Sequence, residues 1–338
     1  MAAMNLVLLL PRPLSAPAYF FRMPLDRHVF LHCAIASILV AQIVLHGAVS
    51  ATKVGLSADV REISGFLSAS CLIGTSALSL SPIRNKFYEL FMTQHCLLPL
   101  AACAALCLHA QDGSLLSRIC VSMSVGVWSL SHLLHCVQRT WRNFFLLRAL
   151  SGKSIWATTV GWRNEDSNVA TDQAVLVDAL PARPWRYCAG QYVYLVVPSV
   201  RAWKASALER HPFLLASWHG EELSLIVQPR EGFTKHMSTL AERGRQELAL
   251  IDGPYGVTHD MSGFGTVIMI ATGSGVIAFL SYVHELLREF ESENAVTRRI
   301  ELIWKVDQDD QLLWVKRQVD QLLRDDRAKI FTVVIFSK

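Results

Sequence analysis

LHCAIASILVAQIVLHGAV, residues 31–49, is apolar enough to lie in a membrane, yet a histidine stands near each end. His32 and His46 are 14 residues apart, and HCLLPLAACAALCLH, residues 95–109, repeats the interval with His95 and His109. Fourteen helical residues rise about 21 Å in just under four turns. Each pair therefore shares one helix face, with its members near opposite ends.

A helix needs roughly 20 apolar residues to cross a bilayer. Four segments qualify, at about 30–50, 63–81, 90–110 and 115–136, whereas residues 5–10 stop at Pro11 and read as a stub. Arg22 and Arg27, Arg84 and Lys86, and Arg139 and Arg142 sit in alternate connections, and the opposite ones hold only Lys53, Arg61 and Arg118. The positive-inside rule then places 22–28, 82–88 and everything after 137 in the cytosol. One span separates the first from the third, so these two run in the same direction. His32 is expected level with His95 near the cytosolic face, and His46 level with His109 near the outer face. Two facing imidazoles at each of two depths suit an iron porphyrin, which is flat, apolar and takes two axial nitrogens. The plainer reading is helix-interface histidines bonded to neighbours. Two pairs of identical spacing favour heme, because ionisable groups buried in lipid are functional as a rule. His28, His132 and His135 are read as interfacial.

The bulk numbers agree with a membrane half joined to a globular half. The chain has 338 residues, 52% hydrophobic and 18% charged, and a mean hydropathy of +0.31, too apolar for an ordinary soluble protein. The apolar runs end near residue 136. The net charge of +4 is dispersed rather than gathered in a stripe, which argues against nucleic acid as a partner. Of eight cysteines, seven lie in or beside the apolar segments and none forms a Cys-x-x-Cys pair; they read as small packing residues.

From 154 to 252 short strand-like runs (IWATTVGW, AVLVDAL, YVYLVVP, LSLIVQ, ELALIDG) surround a helix-like TKHMSTLAER, a pattern that predicts an antiparallel barrel. From 265 the pattern becomes strand, glycine turn, helix, strand, helix, strand, as in a parallel doubly wound sheet. Gly273 and Gly275, at the first strand-to-helix turn, can let a pyrophosphate approach backbone N–H groups. A tight turn without a ligand has the same sequence pattern. Arg298 and Lys305 are candidates for a 2′-phosphate, and Asp307 for a free ribose hydroxyl.

AGQYVYLVVP (189–198), HPFLLASW (211–218), REGFTKHM (230–237), DGPYG (252–256) and IATGSGVIAFLSYVHELL (270–287) occur in the order found in the ferric reductase and NADPH oxidase superfamily of transmembrane flavocytochromes. SPIRNKFYELFMTQH (81–95) resembles that family's lead-in to its second heme helix. The resemblance covers nearly the whole chain. It implies a multi-domain membrane protein: all-α transmembrane heme helices, an antiparallel β-barrel FAD-binding domain and a truncated doubly wound α/β NAD(P)-binding domain. The expected boundaries are 1–29 for the stub of a missing span, 30–136 for the heme domain, 150–258 for the barrel and 263–338 for a partial NAD(P) domain.

Carried over, the resemblance implies that His32, His46, His95 and His109 ligate two b-type hemes. His211, Pro212 and Phe213 would hold the flavin, and Gly232, Phe233 and Thr234 the FAD diphosphate. Gly273, Ser274 and Gly275 would meet NADPH or NADH; no catalytic residue is assigned. Leu214 replaces a usual threonine, Thr272 a frequent glycine, and a later Cys-Gly segment is not found before Lys338. The implied function is electron transfer from NAD(P)H through FAD and two hemes to a metal chelate across the membrane, that is, ferric-chelate reduction. The expected setting is a multi-pass protein, in the plasma membrane, with both nucleotide domains cytosolic. Two alternatives share the motifs: a superoxide-generating oxidase with oxygen as acceptor, and a truncated homologue with a regulatory role.

Overall fold

The computed structural model describes residues 25–54, 59–144, 158–163, 174–183, 185–200, 210–230, 232–242 and 246–337. The expected stub at 1–29 falls almost wholly outside these residues. The chain divides into two units, Met1–Gln138 and Arg139–Lys338.

The first unit is helical, with α1 (Leu25–Val54), α2 (Val60–Leu78), short α3 (Ser81–Lys86), α4 (Tyr88–Ala110) and most of α5 (Leu115–Asn143). Among the described residues three segments are long and apolar enough to cross a membrane: Val29–Thr52, Leu90–Ala110 and Leu115–Asn143. The second of the four expected spans, 63–81, forms as α2 but is not one of them. Its 19 residues carry Arg61 and Glu62 and several hydroxyls. These hydroxyls stay helical by bonding to carbonyls: Ser64 Oγ donates to Arg61 O at 3.0 Å and Thr75 Oγ1 to Cys71 O at 2.8 Å. Ser68 Oγ crosses to Ala102 O of α4 at 3.1 Å. Ser64, Ser68 and Cys71 are buried, so α2 presents small residues to its neighbours and lets backbones approach. Leu39 and Cys103, each near the middle of its histidine interval, are buried together with Ile43, Leu72, Leu106, Val125 and Trp128 packed around them. Phe66, Leu67, Leu116, Leu133 and Leu134 are exposed, an outward apolar surface of the kind that meets lipid.

The second unit opens with an antiparallel sheet of seven strands: β1 (Thr159–Arg163), β2 (Val175–Leu180), β3 (Tyr192–Val196), β4 (His211–His219), β5 (Glu222–Val227), β6 (Glu247–Leu248) and β7 (Leu250–Tyr255). Their order is β6-β1-β2-β5-β4-β3-β7. One chain segment supplies both ends of that order: Glu247 and Leu248 pair with β1, and Leu250–Tyr255 with β3. The sheet thereby curls into the expected barrel. β4, which the strand-like runs did not include, is its longest strand. It pairs with β3 through His211–Leu214 and with β5 through Leu215–His219, with a register shift between Leu215 and Ser217. Such a bulge bends a strand and redirects its side chains. The expected helix forms as α6 (Phe233–Glu242) and buries Phe233, Met237 and Leu240 against the sheet.

Next come β8 (Thr266–Thr272), α7 (Ile277–Glu291), β9 (Arg299–Lys305), α8 (Asp310–Asp325) and β10 (Phe331–Phe336). The strands pair in parallel in the order β10-β9-β8. Val267, Met269, Ala271, Ile300, Leu302 and Trp304 point into the core shared with α7 and α8, while Ile268 and Ile270 face outward, exposed.

The last turn of α5, in this second unit, is fastened to β7. Asn143 is 1% exposed. Its Nδ2 donates to Ile251 O at 2.8 Å, and its Oδ1 accepts from Ile251 N at 2.7 Å. Arg142 donates to Gly253 O. Asn143→Ala leaves both backbone groups of Ile251 buried without partners, at about 1–3 kcal/mol each. The variant should be destabilised by roughly 2–4 kcal/mol, read as an earlier tryptophan-fluorescence melting transition; unchanged melting would show that the clamp carries no stability.

At the far end of β4, Trp218 meets His284 of α7 edge-on, with ring centroids 4.7 Å apart. Burial, followed by the charges of His219 and Arg288, lowers the His284 pKa from 6.5 to about 4. The unfolded chain takes up this proton near 6.5, the folded chain only near 4. Stability is therefore intact above about 6.5 and is lost as the pH falls toward 4. His284→Gln cannot titrate and should flatten that slope in acid denaturation curves; an equal slope in both proteins would assign the acid sensitivity elsewhere.

Candidate functional site

Three groups of residues are candidates, one in the first unit and two in the second. In the first unit the rings of His32 and His95 stand 5.9 Å apart, centroid to centroid, with planes at 57°. Those of His46 and His109 stand 6.3 Å apart at 82°. Both pairs can meet only if α1 and α4 run in the same direction, as the alternation of spans requires. With metal–nitrogen bonds of about 2.0–2.1 Å and about 1.1 Å more from nitrogen to ring centre, two axial imidazoles on one metal stand roughly 6 Å apart. The spacing fits an iron porphyrin at both levels. Among the described residues no three His, Cys, Asp or Glu side chains gather to hold a metal ion, so each pair offers two protein ligands. The α4 rings are also oriented. His109 Nδ1 lies 2.8 Å from Arg61 O, and His95 Nδ1 lies 3.5 Å from Ser79 Oγ, which itself donates to Thr75 O at 2.7 Å. A ligating histidine usually donates its second N–H in this way. His132 instead bonds within its own helix, Nδ1 to Trp128 O at 3.0 Å, and His135 is buried.

In the barrel, strand alternation puts His211 and Phe213 on one face of β4 and the exposed Pro212 and Leu214 on the other. The His211 ring stacks on buried Phe233 at 4.1 Å and 14°, which joins two of the expected flavin-site motifs. Gly232 has φ +77°, a turn that glycine adopts without strain, and it starts α6. The first N–H groups of that helix have no intrahelical acceptor and can receive phosphate oxygens. Thr234 Oγ1 accepts from Arg230 N at 2.8 Å, which closes the turn. Beside β4, Tyr192, Tyr194 and Tyr255 form a triangle of rings 5.7 to 5.8 Å apart. Tyr255 donates to Asp252 at 2.5 Å; burial, and then Asp252, push its phenol well above the ordinary range.

At the third group, Gly273 has φ +51°, and a Cβ there would lie 2.5 Å from Asp307 Oδ2. Trp304 Nε1 donates to Gly273 O at 2.9 Å. Gly273 therefore serves contacts within the fold, whereas Gly275 has open space where a side chain would be and exposed backbone for a ligand to reach. Ser274 lies between them in a single 3-10 turn that leads into α7. Asp307 follows β9 at the carboxyl end of the sheet, where dinucleotides bind in such folds. Lys305, exposed, is at that end too. Arg298 is not: it precedes β9 at the opposite end and donates to Ala295 O and Thr297 O, so its assignment to a 2′-phosphate is corrected. The barrel is tied to this half by α7, whose Glu285 accepts from Ala189 N at 2.8 Å and whose Ser281 accepts from Gly190 N at 3.2 Å.

Neither the contacts of Arg61 and Ser79 with the histidines nor those of Glu285 and Ser281 are legible in the sequence. Most act on or through backbone groups, which leave no pattern in the side chains.

Comparison with known proteins bears on the same three regions. Residues 1–106 match the ferric reductase like transmembrane component, 167–259 an FAD-binding domain, and 264–337 the ferric reductase NAD binding domain. The probable cell surface ferric reductase kap2 of Aspergillus oryzae is 28% identical over 73% of this chain and 32% of its own. The ferric/cupric reductase transmembrane component 2 of Saccharomyces cerevisiae is 25% identical over 62% and 27%. Ferric reduction oxidase 5 of Arabidopsis thaliana is 31% identical over 33% and 16%. The chain thus spans about a third or less of the length of these relatives. With the membrane component, the FAD-binding domain and the NAD-binding domain in this order, the chain is an integral membrane protein of the ferric reductase superfamily.

Proposed function

We propose that this chain carries electrons from NAD(P)H to a ferric chelate on the far side of a membrane. The observation that supports this most is the pair of imidazole pairs, 5.9 and 6.3 Å between centroids, on helices preceding FAD- and NAD-binding domains. When bound, the flavin supplies the change from hydride to single-electron chemistry, and the two b-type hemes supply one-electron transport. The residues supply placement. His32 with His95, and His46 with His109, hold one porphyrin iron each, separated by the apolar layer at Leu39 and Cys103. His211, Pro212 and Phe213 border the flavin, and Gly232, Phe233 and Thr234 receive its diphosphate. Gly273, Ser274 and Gly275 admit the nicotinamide dinucleotide, NADPH or NADH, with Lys305 and Asp307 at the ribose. The domain assignment proposed is heme domain 30–136, FAD barrel 150–258 and NAD(P) domain 263–338. The basic connections favour cytosolic nucleotide domains, and a plasma-membrane location follows the relative described as a cell surface reductase.

Membranes containing the chain should reduce a ferric chelate with NADPH, unaffected by superoxide dismutase. His46→Ala should remove one of two hemes from the reduced-minus-oxidised spectrum and abolish chelate reduction. Loss of the signal on adding dismutase would instead make oxygen the acceptor, and unchanged heme content in the variant would remove the ligand assignment.

The flavin site is tested separately. His211→Ala combined with Thr234→Ala should lower the flavin retained on purification several-fold and leave heme content as it was. Equal flavin stoichiometry in parent and variant would refute the barrel assignment.

A further inference from the structure

Resting on the bis-histidine reading above, we propose that α2 is a positioning helix for the α4 ligand His109 and, through the carbonyl of Arg61, lowers the reduction potential of the His46–His109 site. A peptide carbonyl can only accept, so the 2.8 Å contact puts the His109 proton on Nδ1 and leaves the Nε2 lone pair for the metal. The ring occupies the space of a missing side chain: a Cβ on Gly65 would lie 2.6 Å from Nδ1 and 2.8 Å from Cε1. An added methyl group must displace the ring by about an ångström to regain van der Waals contact, enough to break the hydrogen bond. Donation from Nδ1–H makes an imidazole a stronger electron donor to its metal, and hydrogen bonding around the ligand set is one of the levers on a heme potential. The bond from His109 to Arg61 O therefore makes this iron harder to reduce than it would be without it. Ser64 Oγ shares the same acceptor, Arg61 O, at 3.0 Å, and so competes with the imidazole.

The test is a redox titration of the full chain with both hemes, followed by b-type absorbance and low-spin EPR. His46→Ala identifies the component of its site by removing it. Gly65→Ala should raise that component's potential, change its EPR signal and weaken heme retention at that site about 10–100-fold. Ser64→Ala, which frees the carbonyl for His109, should lower the same potential. Ser79→Ala, beside the other α4 ligand, should leave this component where it is. Ser68→Ala, which removes an α2–α4 bond remote from either ring, should move neither. Opposite signs at Gly65 and Ser64 are not the signature of loosened packing. If Gly65→Ala does not assemble, the Ser64 variant decides. A potential of the His46–His109 component that Ser64→Ala leaves unmoved would overturn the proposal. A parent chain that binds fewer than two hemes would instead bring down the reading beneath it.

Discussion

Between Gly65 on α2 and His109 on α4 there is no room for a methyl group, and the first unit is assembled around that closeness. A helix that brings its backbone within hydrogen-bonding reach of a neighbour's imidazole must be narrow along one face. Ser64, Gly65, Ser68 and Cys71 make it so. The cost is apolarity: α2 exchanges leucine-like surface for hydroxyls that must be satisfied by helix carbonyls, and it is the helix that fails the measure for crossing a bilayer unaided. Packing and hydropathy pull against each other here, and packing decides.

Closeness also governs the second unit. Gly190 leaves no room for a Cβ beside Tyr282, and its N–H reaches Ser281. Gly273 leaves none beside Asp307. Each glycine brings a loop of one element against the polar end of another, so the barrel, α7 and the parallel sheet share a single buried cluster. Among the proposed flavin and dinucleotide residues, Phe233 lies inside this cluster, whereas Pro212 and Gly275 stand at its exposed rim. The turns that would face a ligand are thus held from beneath by packing.

Much of this was legible in the sequence, for reasons that differ by region. The histidine interval carries a helical period, and two copies of it fix direction and level together. The parallel strands read as apolar runs, and their alternation with helices gave β8 to β10 directly. β4 does not read as a strand because HPFLLASW mixes a proline and a histidine into its first half, and its pairing switches sheet partner at a bulge. Arg298 has the charge for a phosphate; only the strand direction reveals that it stands at the wrong end of the sheet. Gly65 resembled any small residue of a packed helix. Its meaning came from a ring belonging to a residue 44 positions away, and sequence periodicity within one helix does not reach that far.

The fastening of Asn143 to Ile251 has a consequence beyond the stability of one turn. β7 pairs with β3 on one side, and the segment meets β1 only at Glu247 and Leu248. On its other side, the N–H and C=O of Ile251 point away from β3 and would form a short open edge, a template for a strand of another molecule. The carboxamide of Asn143 presents one donor and one acceptor at the spacing of a peptide group and occupies that edge. A helix terminus thus stands in for a missing strand, and it protects the barrel against edge-to-edge association along this stretch of β7.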